Sequence, residues 1–440
     1  MKHKRIGLAA VITPLVMALS GCVMTVDQMY SPPRRSEGFT NLQTVMDQAM
    51  QGKGFSAPIS GDNQQPVQLI DLDGDTAEEA VVFTKGTQEK PLSIMIFSRE
   101  NGEYKLSNTI DSTGSAFEQV DYVQMDGEPG LEMIVGRQVQ DQVLRSLTVY
   151  KFSEDKPVKL LTASYQKYMT WDMDGDSRDE IIVLNPGRTE AEPGLISSYD
   201  IQRNAVDKSI DVQLSRPLNQ VKRVVYGTLS GGQQAAFVSS SVDDTVITTD
   251  VVALKDSVLT NVTLSAKLDT GMKALRNDFI YPDDIDQDGI MEIPELVEMY
   301  GQMPDTKQQE YMIRWSEMDL DGSKTEKQYT YHNQPEGWYV DLPDQTAERM
   351  NVISEDSGRY SFHLWNEEKQ QYDKLWTLYI LTGSERSAQA AENHRFVLTK
   401  TDNVVYAGEL EDEARLMGVN EDHLKRAFHL IQSDWKTGEM

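Results

Sequence analysis

The sequence is poor in cysteine, histidine, basic residues and long apolar runs. Cys22 is the one cysteine among 440 residues, so no disulfide can form within the chain. Packing and bound ions must then supply the stability that disulfides give other exported proteins. The six histidines stand in no recognisable metal-binding or hydrolase motif. We therefore predict that the protein is not an enzyme.

Basic residues are outnumbered by acidic ones, 42 Lys and Arg against 70 Asp and Glu, for a formal net charge of −28. A surface of this sign repels the phosphates of nucleic acid and the head groups of anionic lipids. The balance argues against nucleic acid as a ligand and against membrane binding through a basic patch. Bound cations could neutralise part of the acidic charge.

The one marked apolar run lies at the start, where Ile6–Leu19 follows three basic residues. It is too short to span a membrane comfortably and is typical of a signal peptide. The run ends in Leu-Ser-Gly-Cys, which resembles the bacterial lipobox, whose cysteine receives a diacylglyceryl group. The resemblance implies a signal peptide over residues 1–21, a lipid anchor on Cys22 and a location at the cell membrane, facing outside the cytoplasm. An ordinary signal peptide with an incidental cysteine is the alternative.

The composition of the remaining chain suggests four segments. Residues 22–39 contain Ser-Pro-Pro-Arg-Arg and are predicted to be a flexible tether. Residues 40–55 are predicted to hold a short amphipathic helix, Asn41 to Gln51, with Thr40 or Asn41 as its N-cap. Short β-type runs separated by polar turns fill residues 56–410, and residues 411–440 are predicted to be helical.

In the predicted C-terminal helix, Asn420 is the N-cap and Gly438 lies where a C-cap would fall. An apolar stripe at helical spacing favours a face that docks on the preceding domain. The stripe consists of Leu424, Phe428, Ile431 and Trp435.

An acidic loop followed by an apolar strand recurs at intervals of about fifty residues, and a unit of about four short strands with this period is typical of a propeller blade. The loops begin at Asp71, Gln124, Asp172, Gly227 and Asp284. Residues 56–410 accommodate about seven such units, so we predict an all-β fold, a seven-bladed β-propeller, with a solenoid as the structural alternative. Segments such as EGWYVDLP, YSFHLWN and NVVYAGEL would form the last two blades.

The loop that begins at Asp172 places carboxylates at positions one, three and five, with Glu180 at position nine as the first residue of the strand. Gly175 permits a turn tight enough for these carboxylates to converge. Carboxylates so close repel one another unless a hard divalent cation with six to eight oxygen ligands lies between them, and calcium tolerates irregular geometry better than magnesium. The spacing therefore predicts a calcium site.

Three loops have all four carboxylates, and these are the predicted calcium ligands: Asp71, Asp73, Asp75 and Glu79; Asp172, Asp174, Asp176 and Glu180; Asp284, Asp286, Asp288 and Glu292. The loop at Gln124 has Asp126, Glu128 and Glu132 but lacks an acid at position one, which favours a weak or empty site. The loop at Gly227 has no carboxylate and is predicted to bind nothing. The Asp-Leu-Asp-Gly run at Asp319 is out of phase and indicates a hairpin turn.

These loops resemble the calcium-binding hairpins of FG-GAP and VCBS-type repeats, which occur in the β-propeller of integrin alpha subunits and in many exported bacterial proteins. The resemblance covers the loops and their following strands over residues 56–300. It implies calcium bound in blade loops. The Phe-Gly and Gly-Ala-Pro flanks that name the family are missing from this sequence.

The loop at Asp284 also fits the twelve-residue EF-hand pattern, with Glu295 at position twelve. That interpretation requires a helix after the loop. The corresponding residues in the other two complete loops are Val82 and Val183, so the periodicity favours the blade interpretation.

Together these features predict a lipid-anchored, calcium-binding module that binds or organises a protein or a glycan outside the cytoplasm. One alternative is an exported propeller enzyme that acts on polysaccharide through a pair of acids. Another is a solenoid or EF-hand-type calcium-binding surface protein.

Overall fold

The structure is a computed structural model that describes residues 37–431 apart from 51, 87–90, 140–144, 154–155, 203–204, 243–246, 265–279, 302–308 and 356–357. The predicted signal peptide, Cys22, most of the tether, Trp435 and Gly438 lie outside the described residues. Within them the chain forms 28 strands in six antiparallel sheets, with four short α-helices. The predicted all-β class is confirmed.

The sheets follow one another along the chain, and each is built mainly from consecutive strands that pair as neighbours. Sheet 1 contains β1 (Gly54–Phe55), β2 (Val67–Ile70), β3 (Glu79–Lys85), β4 (Leu92–Glu100) and β5 (Glu103–Ser112). Sheet 2 contains β6 (Ala116–Val123), β7 (Glu132–Gln138), β8 (Arg145–Ser153) and β9 (Lys156–Tyr165). Sheet 3 contains β10 (Lys167–Trp171), β11 (Glu180–Asn185), β12 (Leu195–Gln202), β13 (Ala205–Lys208) and β14 (Val212–Gln213).

Sheets 4 to 6 complete the series. Sheet 4 contains β15 (Val221–Thr228), β16 (Gln234–Ser241), β17 (Ile247–Lys255) and β18 (Val258–Asn261). Sheet 5 contains β19 (Glu292–Glu298), β20 (Tyr311–Met318), β21 (Lys324–Asn333), β22 (Trp338–Leu342) and β28 (Phe428–Leu430). Sheet 6 contains β23 (Met350–Glu355), β24 (Arg359–Asn366), β25 (Gln371–Thr382), β26 (Phe396–Lys400) and β27 (Val404–Leu410). The helices are α1 (Glu37–Ala49), α2 (Arg386–Gln389), α3 (Asp412–Leu416) and α4 (Glu421–Ala427).

Successive sheets pack face to face through shared apolar cores. Phe83 of sheet 1 meets Phe117 of sheet 2 edge to face, with ring centroids 5.0 Å apart. Tyr331 and Phe362 form the same contact between sheets 5 and 6 at 5.6 Å. Inner strands such as β3 and β11 are covered on both faces, which explains why their sequences are continuous apolar runs instead of alternating ones.

The outer faces of the first and last sheets are covered by other elements. Leu42 and Met46 of α1 pack on the face of sheet 1 that points away from sheet 2. Ala390, which follows α2, packs on Tyr379 and Val405 of sheet 6. In the described part of the chain no apolar cluster joins sheet 6 to sheet 1. Closure into a ring is therefore not confirmed.

The prediction of seven units is also not confirmed, because the described strands form six sheets. The EGWYVDLP segment supplies β22, which pairs with β21 and completes sheet 5 instead of opening a sixth unit. The other segments assigned to the last two blades all fall within sheet 6, where β25 pairs with β24 along one edge and with β27 along the other.

The N-terminal helix begins earlier than predicted, at Glu37, so it includes residues assigned to the tether. Asn41 lies inside it and is not its N-cap. The Asn41 side-chain oxygen instead accepts a hydrogen bond of 2.5 Å from the backbone N–H of Tyr104 in β5. The helix ends at Ala49, and residues 54–55 form β1 where helix was predicted.

The predicted C-terminal helix is shorter than expected. Asn420 is confirmed as an N-cap, because its side-chain oxygen accepts the His423 N–H at 2.9 Å. The helix ends at Ala427, however, and Phe428 begins β28, which pairs with β22. Pairing there satisfies backbone groups at the edge of sheet 5. Phe428 also packs on Trp338, so its burial comes from a strand and not from a helical stripe. No helix in the described residues is long and apolar enough to cross a membrane.

Candidate metal centres

A buried glutamate organises each of the four acidic loops. It is the residue at position nine, and its carboxylate accepts a hydrogen bond from the backbone N–H of position two. The four bonds join Glu79 to Leu72 (2.9 Å), Glu132 to Met125 (2.9 Å), Glu180 to Met173 (2.6 Å) and Glu292 to Ile285 (3.0 Å). Each glutamate begins the strand that follows its loop. The loop is thereby tied to the buried end of the sheet.

The position-one aspartate holds the turn itself in the three complete loops. Asp172 accepts the N–H groups of Gly175 and Ser177 at 2.8 and 2.9 Å, and Asp71 is bonded in the same way to the corresponding residues of its loop. The turn needs a left-handed residue at position four. Gly175 meets this need with φ of 81°, whereas Gln287 adopts φ of 63° in the loop at Asp284.

The turn brings together the carboxylates of positions one, three and nine. One oxygen from each lies within 4.8 Å of the others in three groups: Asp71, Asp73 and Glu79; Asp172, Asp174 and Glu180; Asp284, Asp286 and Glu292. A fourth group, Asp288, Glu292 and Glu317, adjoins the last of these.

The position-five residues do not join the first three groups. Asp75 accepts the Ala77 N–H at 2.7 Å, and Asp176 forms an ion pair with Arg178. Of the four positions predicted as ligands, the structure thus assembles three in every complete loop. Asp288 belongs to the neighbouring group instead.

The clusters stand in an environment that disfavours negative charge. Burial raises the pKa of both Glu180 and Glu292 to about 8, and nearby aspartates of their own loops add to the effect. Burial and the charge of Asp176 likewise raise the pKa of Asp174. The ionised forms of these two glutamates are therefore costly unless a cation compensates their charge.

The loop at Gln124 contains an internal cation instead of a complete acidic set. Lys151, from β8, forms ion pairs with Asp126 and with Glu128, the latter at 2.8 Å. The Asp126 side chain is fully buried and that of Lys151 is 10% exposed. The Gln124 side chain takes the place of the position-one aspartate and accepts the Gly127 N–H at 2.7 Å. A lysine ammonium thus lies among the carboxylates of this loop.

The loop at Gly227, which has no carboxylate, and the acidic run at Asp319 lie outside this pattern and are simple turns. At Gly227 the turn closes through the Leu229 N–H and the Gln233 carbonyl at 2.8 Å. The run at Asp319 connects β20 to β21, with the Gly322 N–H bonded to the Asp319 carbonyl at 3.1 Å. It has no glutamate at position nine, because Lys327 stands there.

The EF-hand interpretation of the loop at Asp284 is wrong. The chain after the loop is β19, and Glu295 lies within it, opposite Arg314 of β20. Glu295 forms ion pairs with Arg314 (3.0 Å) and with Lys324. The Glu295 carboxylate is therefore paired with basic side chains of its own sheet and is not part of the loop cluster.

Two strand carboxylates near the clusters were missed by the sequence analysis. Glu317 of β20 lies directly opposite Glu292 in the sheet register. Asp200 of β12 follows Tyr199, the partner of Ile181, so it faces Glu180, and its charge helps to raise the pKa of that glutamate. Each position-nine glutamate faces one position in the next strand of its sheet. An alignment of those strands, β4, β8, β12 and β20, would have shown that this position holds Ser98, Lys151, Asp200 or Glu317.

A cleft of about 510 Å³ opens beside the loop at Asp172. Asp174 and Glu180 form part of its wall, so the carboxylate cluster faces the cleft. Most of the remaining wall consists of neutral hydroxyl and amide groups from sheets 3 and 4 and of two further acids. These residues are Ser198, Asp200, Gln202, Asp207, Ser209, Gln233 and Gln234.

No protein-family model matches the sequence, and no curated protein matches it. Similar solved structures include a protein from Lactobacillus plantarum, 11% identical with a TM-score of 0.30, over 72% of this chain and 86% of that one. They also include the Bacillus licheniformis rhamnogalacturonan lyase PL11, 8% identical with a TM-score of 0.31, over 73% of this chain and 91% of that one. Scores this low support no inference about fold or function.

Replacing Lys151 with Gln should strongly destabilise the protein, because it leaves the buried Asp126 carboxylate without its cation. Breaking a buried ion pair on one side costs about 3–5 kcal/mol. Urea unfolding followed by tryptophan fluorescence measures the loss. The double variant Lys151→Gln with Asp126→Asn should recover much of it, and Lys105→Gln, in an exposed pair with Glu100, is the control. Equal stability of Lys151→Gln and the parent chain would contradict the role of Lys151.

Glu292→Gln and Glu295→Gln should affect different properties, the first calcium affinity and the second stability. The first should weaken calcium binding by the loop at Asp284 by about tenfold or more, because it removes a negative charge and replaces one carboxylate oxygen with an amide NH2 group. The second should leave calcium binding unchanged but destabilise the chain, because Arg314 and Lys324 lose their shared partner. Isothermal titration calorimetry and urea unfolding in chelator measure the two quantities. A large affinity loss in Glu295→Gln alone would restore the EF-hand interpretation.

Proposed function

We propose that this protein is a calcium-binding array of propeller-type blades, anchored to the outer side of the cell membrane by lipid on Cys22, that serves as a binding or scaffold module. The observation that supports this most is the repetition of one geometry. Three loops, each leading into a buried strand of a separate sheet, bring together the carboxylates of the same three loop positions. A solvated acidic turn has no need of such convergence.

The chemistry of the donors favours calcium. Every ligand in the three groups is a carboxylate oxygen, and hard divalent cations prefer oxygen to nitrogen or sulfur. Each loop leaves several coordination positions to water, to backbone carbonyls or to a ligand, which suits the flexible geometry of calcium. Two positive charges would also compensate the ionised forms of Glu180 and Glu292, whose pKa values burial raises.

Calcium at these positions would stiffen the array. Each ion would link the turn to the first residue of a buried strand, and the buried strand packs against the next sheet. Loop rigidity would then pass into the sheet interfaces, which hold the blades in a fixed relative arrangement.

The cleft at the loop at Asp172 is the binding surface that we propose. Its hydroxyl and amide groups suit a ligand rich in hydroxyls, and sugar hydroxyls could also complete the coordination of a calcium ion at Asp172, Asp174 and Glu180. We therefore favour a glycan over a protein as the partner.

Calcium should raise the thermal unfolding midpoint of the protein, and EDTA should lower it. Extracellular modules bind calcium with a Kd of about 10⁻⁴ to 10⁻³ M. A hundredfold excess over Kd then stabilises by about 2.7 kcal/mol per site. Asp71→Asn, Asp172→Asn and Asp284→Asn should each reduce the shift. Asp319→Asn, in the acidic turn without a buried glutamate, should leave it intact. An unchanged midpoint between EDTA and about 10–100 mM calcium, a hundredfold excess over this Kd, would overturn the proposal.

Binding to a glycan array should require calcium and the cleft. The parent chain should bind glycans on the array in the presence of calcium and should not bind them in EDTA. The Asp172→Asn variant, changed at the cleft, should lose glycan binding even in calcium, whereas the Asp71→Asn variant, changed in sheet 1, should keep it. Equal binding by both variants would exclude the cleft. Sustained release of cleaved product in the same assay would favour the polysaccharide enzyme instead.

A further inference from the structure

Lys327 is directed at the loop at Asp284 by an irregularity in its sheet. In β21, Gln328 pairs with Trp315 and Glu326 pairs with Ser316, so Lys327 is an extra residue between two paired ones. Such a β-bulge re-aims a side chain. The Lys327 ammonium lies 2.9 Å from Asp288 and 3.7 Å from Asp286, and it also contacts Glu317.

The carboxylates that Lys327 contacts belong to the same cluster as Glu292. The oxygens of Asp288, Glu292 and Glu317 lie within 4.8 Å of one another. Glu292 is 0% exposed, and while its Oε2 accepts the Ile285 N–H, its Oε1 has no hydrogen-bond partner in the described residues. A buried polar atom without a partner is costly. A metal ion in the cluster would supply that partner.

We propose that the cluster at the Asp284 loop is an exchange site, in which Lys327 and a divalent cation such as calcium compete for the same carboxylates. When the ion binds, it takes Glu317 as a ligand from outside the loop and releases the lysine ammonium. This inference rests on the proposed function, because it assumes that the complete loops bind calcium. It adds Glu317 to the ligand set and makes Lys327 the residue that sets the affinity.

The surroundings allow Lys327 to leave. A cleft of about 600 Å³ is lined by both Lys327 and Asp286, and Asp341 and Asp344 line it too. The released ammonium thus has room and other carboxylates to contact.

The comparison with Lys151 indicates why one lysine would exchange and the other would not. The Lys151 side chain is 10% exposed and that of its partner Asp126 is 0% exposed. The corresponding values for Lys327 and Asp288 are 26% and 35%. Water can therefore reach the Lys327–Asp288 pair and help to separate it, although Glu317, the other close partner of Lys327, is only 8% exposed. The Lys151–Asp126 pair is closed in on both sides. An ion must also displace an ammonium at the Asp284 loop, so this site should fill at higher calcium concentration than the loops at Asp71 and Asp172.

Calorimetric calcium titration of the full chain tests the exchange. In a background with Asp71→Asn and Asp172→Asn, the remaining binding reports the Asp284 loop. Lys327→Gln should increase calcium affinity by about tenfold, the worth of one charge-assisted hydrogen bond. Lys324 lies in the same strand as Lys327 but pairs with Glu295. Lys324→Gln should therefore leave calcium affinity unchanged. Glu317→Gln should lower the affinity by about tenfold or more.

A second readout uses the unmodified chain. Amine acetylation followed by peptide mass spectrometry should show that calcium increases the reactivity of Lys327 and leaves the buried Lys151 unreactive. Equal affinities of Lys327→Gln and Lys324→Gln, or unchanged Lys327 reactivity, would overturn the exchange while leaving calcium binding at Asp71 and Asp172 standing. Absence of calcium binding at every loop would overturn both the exchange and the proposed function.

Discussion

The hydrogen bond from a loop N–H to the buried glutamate at position nine is the interaction on which the acidic loops depend. It places a carboxylate at the end of an inner strand, where packing against the next sheet removes it from water. Burial of an ionisable group is costly without a compensating charge or a proton. In each loop the charge of the buried glutamate needs a compensating group, and that group differs from loop to loop.

In the loop at Gln124 the compensating group is the ammonium of Lys151, which comes from the neighbouring strand and is buried with Asp126. At Asp71 and Asp172 three carboxylates converge, and we propose an ion. At Asp284 both features occur together, since Lys327 reaches a cluster that also includes Glu317. We thus propose that one backbone design accommodates three kinds of compensation: a fixed lysine at Gln124, an exchangeable lysine at Asp284 and a metal ion at the complete loops.

The same point of the repeat can also reverse the chain without carboxylates. The loop at Gly227 has no carboxylate, yet it connects β15 to β16 just as the acidic loops connect β2 to β3, β6 to β7 and β10 to β11. Backbone hydrogen bonds and a left-handed glycine are enough to reverse the chain there. The carboxylates are therefore an addition to a repeat that folds without them, which is the pattern expected of binding groups on a structural frame.

The sequence by itself determined what depends on neighbours in the chain: the all-β class, the period, the loop positions and the convergence of carboxylates around tight turns, because spacing and left-handed glycines act over a few residues. Only the tertiary structure decided what depends on partners far along the chain. Glu295 lies in a strand because Arg314 and Lys324 face it, and Phe428 leaves its helix because β22 offers an edge. Lys151, Asp200, Glu317 and Lys327 reach the loops only through strand register and a bulge, which no local pattern specifies.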